Sequence, residues 1–177
     1  MKINRIWNMP NSHTFKILPI KNLIIKIVKE NDKVLDIFAN DCYIKDFLGD
    51  IEYISNDIDL EFNTTYNLDA LELLKLIPSN SIDLVLYDPP YSPRQVSECY
   101  RKLDLTVNMK TTQSSYWGNQ KKEISRVLKP NGKVITCGWN SGGIGKCNGM
   151  EIKEILLVPH GGWHNDTIVT VEEKQFQ

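Results

Sequence analysis

The sequence predicts an α/β protein: a mostly parallel twisted sheet with helices on both faces and an antiparallel hairpin at its C-terminal edge. Three observations carry that prediction. Short, β-branched apolar runs alternate with segments of helical spacing through most of the chain. The apolar runs end repeatedly on acids. The last two strand-like segments are joined by a connection too short for a parallel crossover.

Taken in order, Ile20 to Lys29 places Leu23, Ile24, Ile27 and Val28 at helical spacing, and Glu30-Asn31-Asp32 ends the run. With the polar start, this makes residues 1–32 an N-terminal cap and helix. "KVLDIF" is a buried strand, "CYIKDFLG" a brief helix closed by Gly49, and "IEYIS" a second strand running into Asn56-Asp57. In "NLDALELLKLIP", Asp69 and Glu72 fit a capping box and Pro78 lies beyond the helix end. "SIDLVLY" is the third strand. Ser92 to Asn119 mixes helical and loop character, and "QKKEISRVL" is a helix stopped by Pro130 and a turn at Gly132. "KVITCGW" is the fourth strand, and "EIKEILLVP" pairs with "TIVTVEEK" around "HGGWHND". No repeat, low-complexity tract or linker interrupts the chain, so one domain over residues 1–177 is expected.

Composition narrows the function classes. A chain of 177 residues with 41% hydrophobic and 24% charged residues can bury its own core. No apolar run is long enough to cross a bilayer and the start has no signal-peptide core, so a cytoplasmic protein without a membrane partner is expected. A net charge of −1 gives no global positive field, so a nucleic-acid partner would need a local basic patch. Cys42, Cys99, Cys137 and Cys147 show no CxxC pair and no metal-ligand spacing; free thiols and no metal site are expected.

Ligands of open α/β sheets bind outside the carboxyl ends of the strands. Those ends carry Asp36-Ile37-Phe38-Ala39-Asn40, then Asp57, then Asp88 to Tyr91, then Gly138-Trp139-Asn140. Asp57 lies 21 residues beyond Asp36, close to the roughly 20-residue separation at which an acid reaches ribose hydroxyls in nucleotide-binding βαβ units. Asp69 as an N-cap needs no ligand, but capping leaves room for one if a carboxylate lone pair is free.

The third strand ends abruptly in Asp88-Pro89-Pro90-Tyr91. Each proline holds the residue before it extended and fixes its own φ. The Asp88 carboxylate and the Pro89 carbonyl are therefore rigid acceptors, with the flat face of Tyr91 beside them. Two such acceptors suit the exocyclic amine of a purine, whose lone pair must leave conjugation with the ring before the nitrogen can attack an electrophile. A base reaches such a site only when unstacked, and an aromatic side chain helps to hold it there. Three other signals fail on their own chemistry. "NSGGIGKC" has Asn140 for the first phosphate-loop glycine and Cys147 for its Ser/Thr, leaving a flexible loop. "HGGWH" lacks a third metal ligand, and no GxSxG elbow accompanies its glycines.

"DPPY" after an apolar strand, "DIF" at the first strand and "RVLKPNGKVI" before a later one resemble the class I S-adenosylmethionine (SAM)-dependent methyltransferases. More narrowly they resemble the amino-methyltransferases that modify adenine N6 in DNA. The similarity runs roughly from Lys33 to Lys174 and implies a Rossmann-like fold with SAM as cofactor. It also implies that Asp88 and Pro89, with Pro90 and Tyr91, bind and stack the target base. Asp36, Ile37, Phe38, Ala39 and Asn40 would face the methionine part of SAM, Asp57 its ribose, and Asp69 with Ala70 its adenine. Phe15 is a weaker candidate cover for the methionine, with core packing as its alternative.

The chain departs from the family in two places. Asn40 and Cys42 stand where the first motif carries glycines. No target-recognition domain is expected within these 177 residues, so residues 92–119 are expected to be the substrate-facing insertion. That insertion contains Arg94, Arg101, Lys102 and Lys110 with Tyr100, Tyr116 and Trp117, and Asn140 follows the fourth strand. Cations for phosphates and aromatics for bases suit nucleic acid; a solvated helix with an aromatic staple is the alternative. The leading expectation is N6-adenine methylation of DNA. Its rivals are the same chemistry on RNA and a non-catalytic, methyltransferase-like binding subunit.

Overall fold

The computed structural model describes residues 1–107 and 113–175. Its centre is a seven-stranded sheet. The strands are β1 (Lys2–Arg5), β2 (Lys33–Asp36), β3 (Glu52–Ser55), β4 (Ile82–Tyr87), β5 (Leu128–Gly138), β6 (Met150–Val158) and β7 (Thr167–Lys174). Their spatial order is β1-β6-β7-β5-β4-β2-β3, with β7 antiparallel to both neighbours and every other pair parallel. The helices are α1 (Leu18–Ile27), α2 (Ala70–Leu76), α3 (Pro93–Lys102) and α4 (Ser114–Val127).

Alternation along the inner strands sorts the core into two layers. Val34, Leu84 and Leu86 point to the layer holding Ile20, Leu23 and Ile24 of α1. Leu35, Val85 and Tyr87 point to the opposite layer, against Leu73 and Leu74 of α2 and Ile124 and Val127 of α4. Helices thus cover both faces, and the predicted C-terminal hairpin is β6–β7.

Three elements differ from the sequence reading. The polar start contains β1, which pairs with β6 from Lys2↔Glu154 to Arg5↔Leu157 and so lies outside the hairpin as the sheet edge. The helix expected from Gln120 begins at Ser114 and takes in Tyr116 and Trp117. It stops at Val127, and β5 opens with an irregular turn in which Asn131 has φ 62°.

The glycine-rich segment after β5, expected as a flexible loop, is pinned to the sheet. Glu172 of β7 is fully buried, and its carboxylate accepts hydrogen bonds from the amides of Ile144 at 2.6 Å and Gly145 at 2.9 Å. A Cβ on Gly143 would stand 2.2 Å from that carboxylate, so glycine is required for the approach. Burial pushes the Glu172 carboxyl above its usual range, opposed by the two amides and by Lys121. Replacing Glu172 with Ala strands the buried Ile144 N–H, and a destabilisation of about 2 kcal/mol is expected in denaturant titration.

Candidate active site

Next to β2 the order of connection reverses: the chain passes from β2 to β3 on one side, while β4 and β5 lie on the other. Such a switch point opens a crevice at the carboxyl ends of the strands. A cleft of about 570 Å³ lies there, within the size range of small-molecule sites.

The structure brings most of the predicted residues to this cleft. Phe38, Asn40, Asp57, Asp69 and Ala70 line it, as do Asp88, Pro89, Pro90 and Tyr91. From the expected insertion, Lys102 and Tyr116 reach it. Asp36, Ile37 and Ala39 are buried beside it without lining it. Arg101, Arg94 and Asn140 are not part of the lining; Arg94 pairs with Glu98 at 2.7 Å on the exposed side of α3, and Asn140 accepts the Gly142 amide. Trp117 also stands off the lining, donating its indole N–H to the Pro90 carbonyl at 2.9 Å. Phe15 packs in the core under the N-terminal wall. Lys110 lies outside the described residues.

Several contacts fix the strand-end tetrapeptide. The Tyr91 hydroxyl donates to the Asp88 carboxylate, and the Tyr91 amide donates to Gln95 at 2.6 Å. The Tyr91 ring meets Trp139 edge-on with centroids 5.6 Å apart. Burial raises the Asp88 carboxyl above its ordinary range, while hydrogen bonds from Tyr91 and Thr14 work in the opposite direction. The same surroundings raise Tyr91, which keeps its proton and remains a donor.

The other acids also have donors. Asp57 accepts the amides of Asp59 at 2.9 Å and Asn40 at 3.1 Å; burial raises its carboxyl and these bonds oppose the rise. Asp69 caps α2 by accepting the Leu71 amide at 2.9 Å, and its second oxygen accepts the Tyr100 hydroxyl at 2.6 Å. Asp36 accepts from Tyr53 at 2.6 Å, and its other oxygen is buried with no hydrogen-bond partner among the described residues. Burial pushes Asp36 to about 7, against the Tyr53 bond and with help from neighbouring Asp88.

Asn40 and Cys42, expected at positions where similar sequences carry glycines, both adopt left-handed backbone, with φ 47° and 54°. The turn thus takes the backbone region that glycine enters most readily, without a glycine at either position. Asn tolerates this conformation through its short polar side chain, and here its side-chain amide donates to the Phe38 carbonyl at 3.2 Å.

Sequence reasoning missed the N-terminal wall. Asn11, Ser12 and Thr14 line the cleft, although nothing in "NSHTF" marks them. That wall is tied down by His160, which lines the cleft and bonds the Asn8 carbonyl through Nδ1 and the Thr167 hydroxyl through Nε2, both at 2.8 Å. A carbonyl can only accept, so Nδ1 carries a hydrogen. "HGGWH" contained this histidine, but its partner lies 152 positions away in the chain.

No protein-family profile matches the chain. It is 32% identical over 80 residues to the type II methyltransferase M.BglII of Bacillus subtilis, a stretch that is 45% of this chain and 19% of that enzyme. The chain thus spans about a fifth of the curated relative it matches. Among solved structures it is similar to a 1,6-didemethyltoxoflavin-N1-methyltransferase of Burkholderia thailandensis with bound 1,6-didemethyltoxoflavin and S-adenosylhomocysteine. There the TM-score is 0.62 at 11% identity, over 89% of this chain and 77% of that one. TrmN from Thermus thermophilus gives 0.60 at 16% identity, over 89% and 49%. The N-methyltransferase NodS from Bradyrhizobium japonicum gives 0.61 at 8%, over 94% and 100%.

The left-handed turn predicts an asymmetric mutational response. Cys42→Gly should leave stability within about 1 kcal/mol of the parent, because relief of strain offsets the entropy of glycine. Cys42→Val should cost about 1–3 kcal/mol, since a β-branched residue resists positive φ; thermal melts of both variants check this. Strand order, helix placement and the solved neighbours agree: the chain has the Rossmann-like fold of the class I methyltransferases.

Proposed function

We propose that the protein transfers a methyl group from SAM to the N6 amine of adenine in DNA. The observation that carries this reading is Asp88-Pro89-Pro90-Tyr91 standing at the end of β4 on the cleft, with Asp88 held by Tyr91. The similarity to M.BglII supports nucleic acid as the substrate class, and the solved neighbour with S-adenosylhomocysteine supports the cofactor.

The residues present fit SAM. The cleft is of suitable volume, the Asn40 turn is left-handed, and a buried Asp36 oxygen next to it has no partner among the described residues. Asp57 would take the ribose hydroxyls and Asp69 the adenine amine, each through oxygens that already hold one donor. When bound, SAM supplies an electrophilic methyl on a sulfonium.

The protein's own part concerns the amine. Asp88 accepts one N–H and the Pro89 carbonyl the other, which draws the nitrogen lone pair out of conjugation. Direct displacement puts positive charge on the nitrogen, and the carboxylate stabilises it until a proton leaves. No covalent enzyme intermediate is needed. Tyr91 holds Asp88 in place and offers its ring to the extruded base.

Incubation with SAM and separate pools of single-stranded DNA, duplex DNA and RNA, followed by nucleoside mass spectrometry, tests this. N6-methyladenine in a DNA pool is expected, with at least about 100-fold less from Asp88→Ala. Methylation of RNA alone would replace the DNA reading with the same chemistry on RNA. Absence of both methylation and SAM binding would leave a non-catalytic binding protein.

Asp88 serves as acceptor when ionised, so activity should rise with pH through its raised pKa. Removing the Tyr91 hydroxyl removes an interaction that lowers that pKa. The acid limb of the kcat/KM profile should therefore move to higher pH in Tyr91→Phe.

A further inference from the structure

Trp163 stands in the connection between β6 and β7 with a relative exposure of 103%, so no part of the described structure covers it. An indole is among the largest apolar surfaces a side chain carries, and left in water it contributes nothing to the fold. The turn that presents it contains Gly161 and Gly162 at φ 72° and 60°, conformations that glycine permits. Trp7, itself 58% exposed, packs on this turn, with its indole nitrogen 3.5 Å from where a Gly161 Cβ would stand.

The place of these two indoles gives them a ligand. His160, His164, Asn165 and Thr167, on both sides of Trp163 in sequence, line the cleft. The turn is thus the rim of the candidate active site. A base that enters the cleft must leave its stack, which uncovers the faces of the bases next to it. The cleft itself is lined by Asp57, Asp59, Asp69 and Asp88 against one lysine, Lys102, among the described residues, and the whole chain carries a net charge of −1. Attraction for phosphates is therefore weak, and stacking supplies affinity without charge.

We propose that the β6–β7 turn is a stacking platform for the nucleobases flanking the target, with Trp163 as its main contact and Trp7 beside it. The proposal rests on nucleic acid being the substrate. It adds a binding element that neither the strand-end tetrapeptide nor the insertion supplies, and it predicts affinity that depends on bases more than on phosphates.

Fluorescence anisotropy of a labelled single-stranded deoxyoligonucleotide, without methyl donor, tests this on the full chain. Trp163 is fully exposed, so its replacement leaves the fold intact. Trp163→Ala should raise Kd about tenfold or more, and Trp163→Tyr should recover most of the loss. With an oligonucleotide abasic at the flanking positions, parent and Trp163→Ala should bind alike, and weakly.

An unchanged Kd in Trp163→Ala, or a parent protein that binds no oligonucleotide, overturns the platform. So does self-association in sedimentation that Trp163→Ala abolishes while oligonucleotide affinity stays intact, because the occupant would then be a second copy. Binding is read without turnover, so the two proposals fail separately. Oligonucleotide binding lost in Trp163→Ala, with no methylation in any pool, leaves the platform and removes the transferase. Methylation with an unchanged KM in Trp163→Ala does the reverse.

Discussion

β4 is hydrogen-bonded to β2 on one side and to β5 on the other, and it is buried on both faces. Its side chains alternate between two separate cores, so a slip of one residue would exchange Leu84 and Leu86 with Val85 and Tyr87 and spoil both. That lock decides where the strand ends, and so where Asp88 stands. Tyr87 adds a further pin, since its buried hydroxyl donates to Gln120 of α4 at 2.8 Å. From there the two prolines carry the fixed position outwards to Tyr91, which α3 meets through Gln95. α4 reaches the same segment through Trp117. Rigid placement of the acceptors is thus a consequence of packing well behind them.

The electrostatics of the cleft follow from its position. Acids at the ends of neighbouring strands converge because the strands do, and each costs free energy to hold charged where water is scarce. The protein answers with local donors: amides for Asp57, an amide and a phenol for Asp69, phenols for Asp36 and Asp88. Tyrosine recurs in this role because burial beside a carboxylate raises its own pKa and makes it a lasting proton donor. The result is a cleft rich in acceptors, suited to ligands that bring N–H groups, hydroxyls or positive charge.

What the sequence made legible was local or obeyed a topological rule. Asp69 capping α2 needs only residues within one turn, and the carboxyl ends of β2, β3 and β4 meet because parallel strands on either side of a switch point must. Asn40 was half legible: asparagine is a residue type that tolerates left-handed backbone, but the matching conformation of Cys42 has no signature in its residue type. The features that escaped depend on distant partners. β1 is four residues whose register comes entirely from β6. Glu172 reads as an ordinary strand acid until the amides of Ile144 and Gly145 close on it. The early start of α4 was hidden because Tyr116 and Trp117 suited a loop facing substrate as well as a helix facing Pro90.

The N-terminal wall has a consequence for how the protein is made. Lys2 pairs opposite Glu154, and Asn8 waits for His160, so these residues find their partners only after about 150 further residues have followed. Contacts of such separation form late, because the loop they close is long. While translation is under way, β2, β3 and β4 can assemble with the helices between them, but residues 10–14 have no hairpin to lie against. A nascent chain therefore carries its acceptors on an unfinished rim, and the cleft takes its final shape only after β6 and β7 have been made.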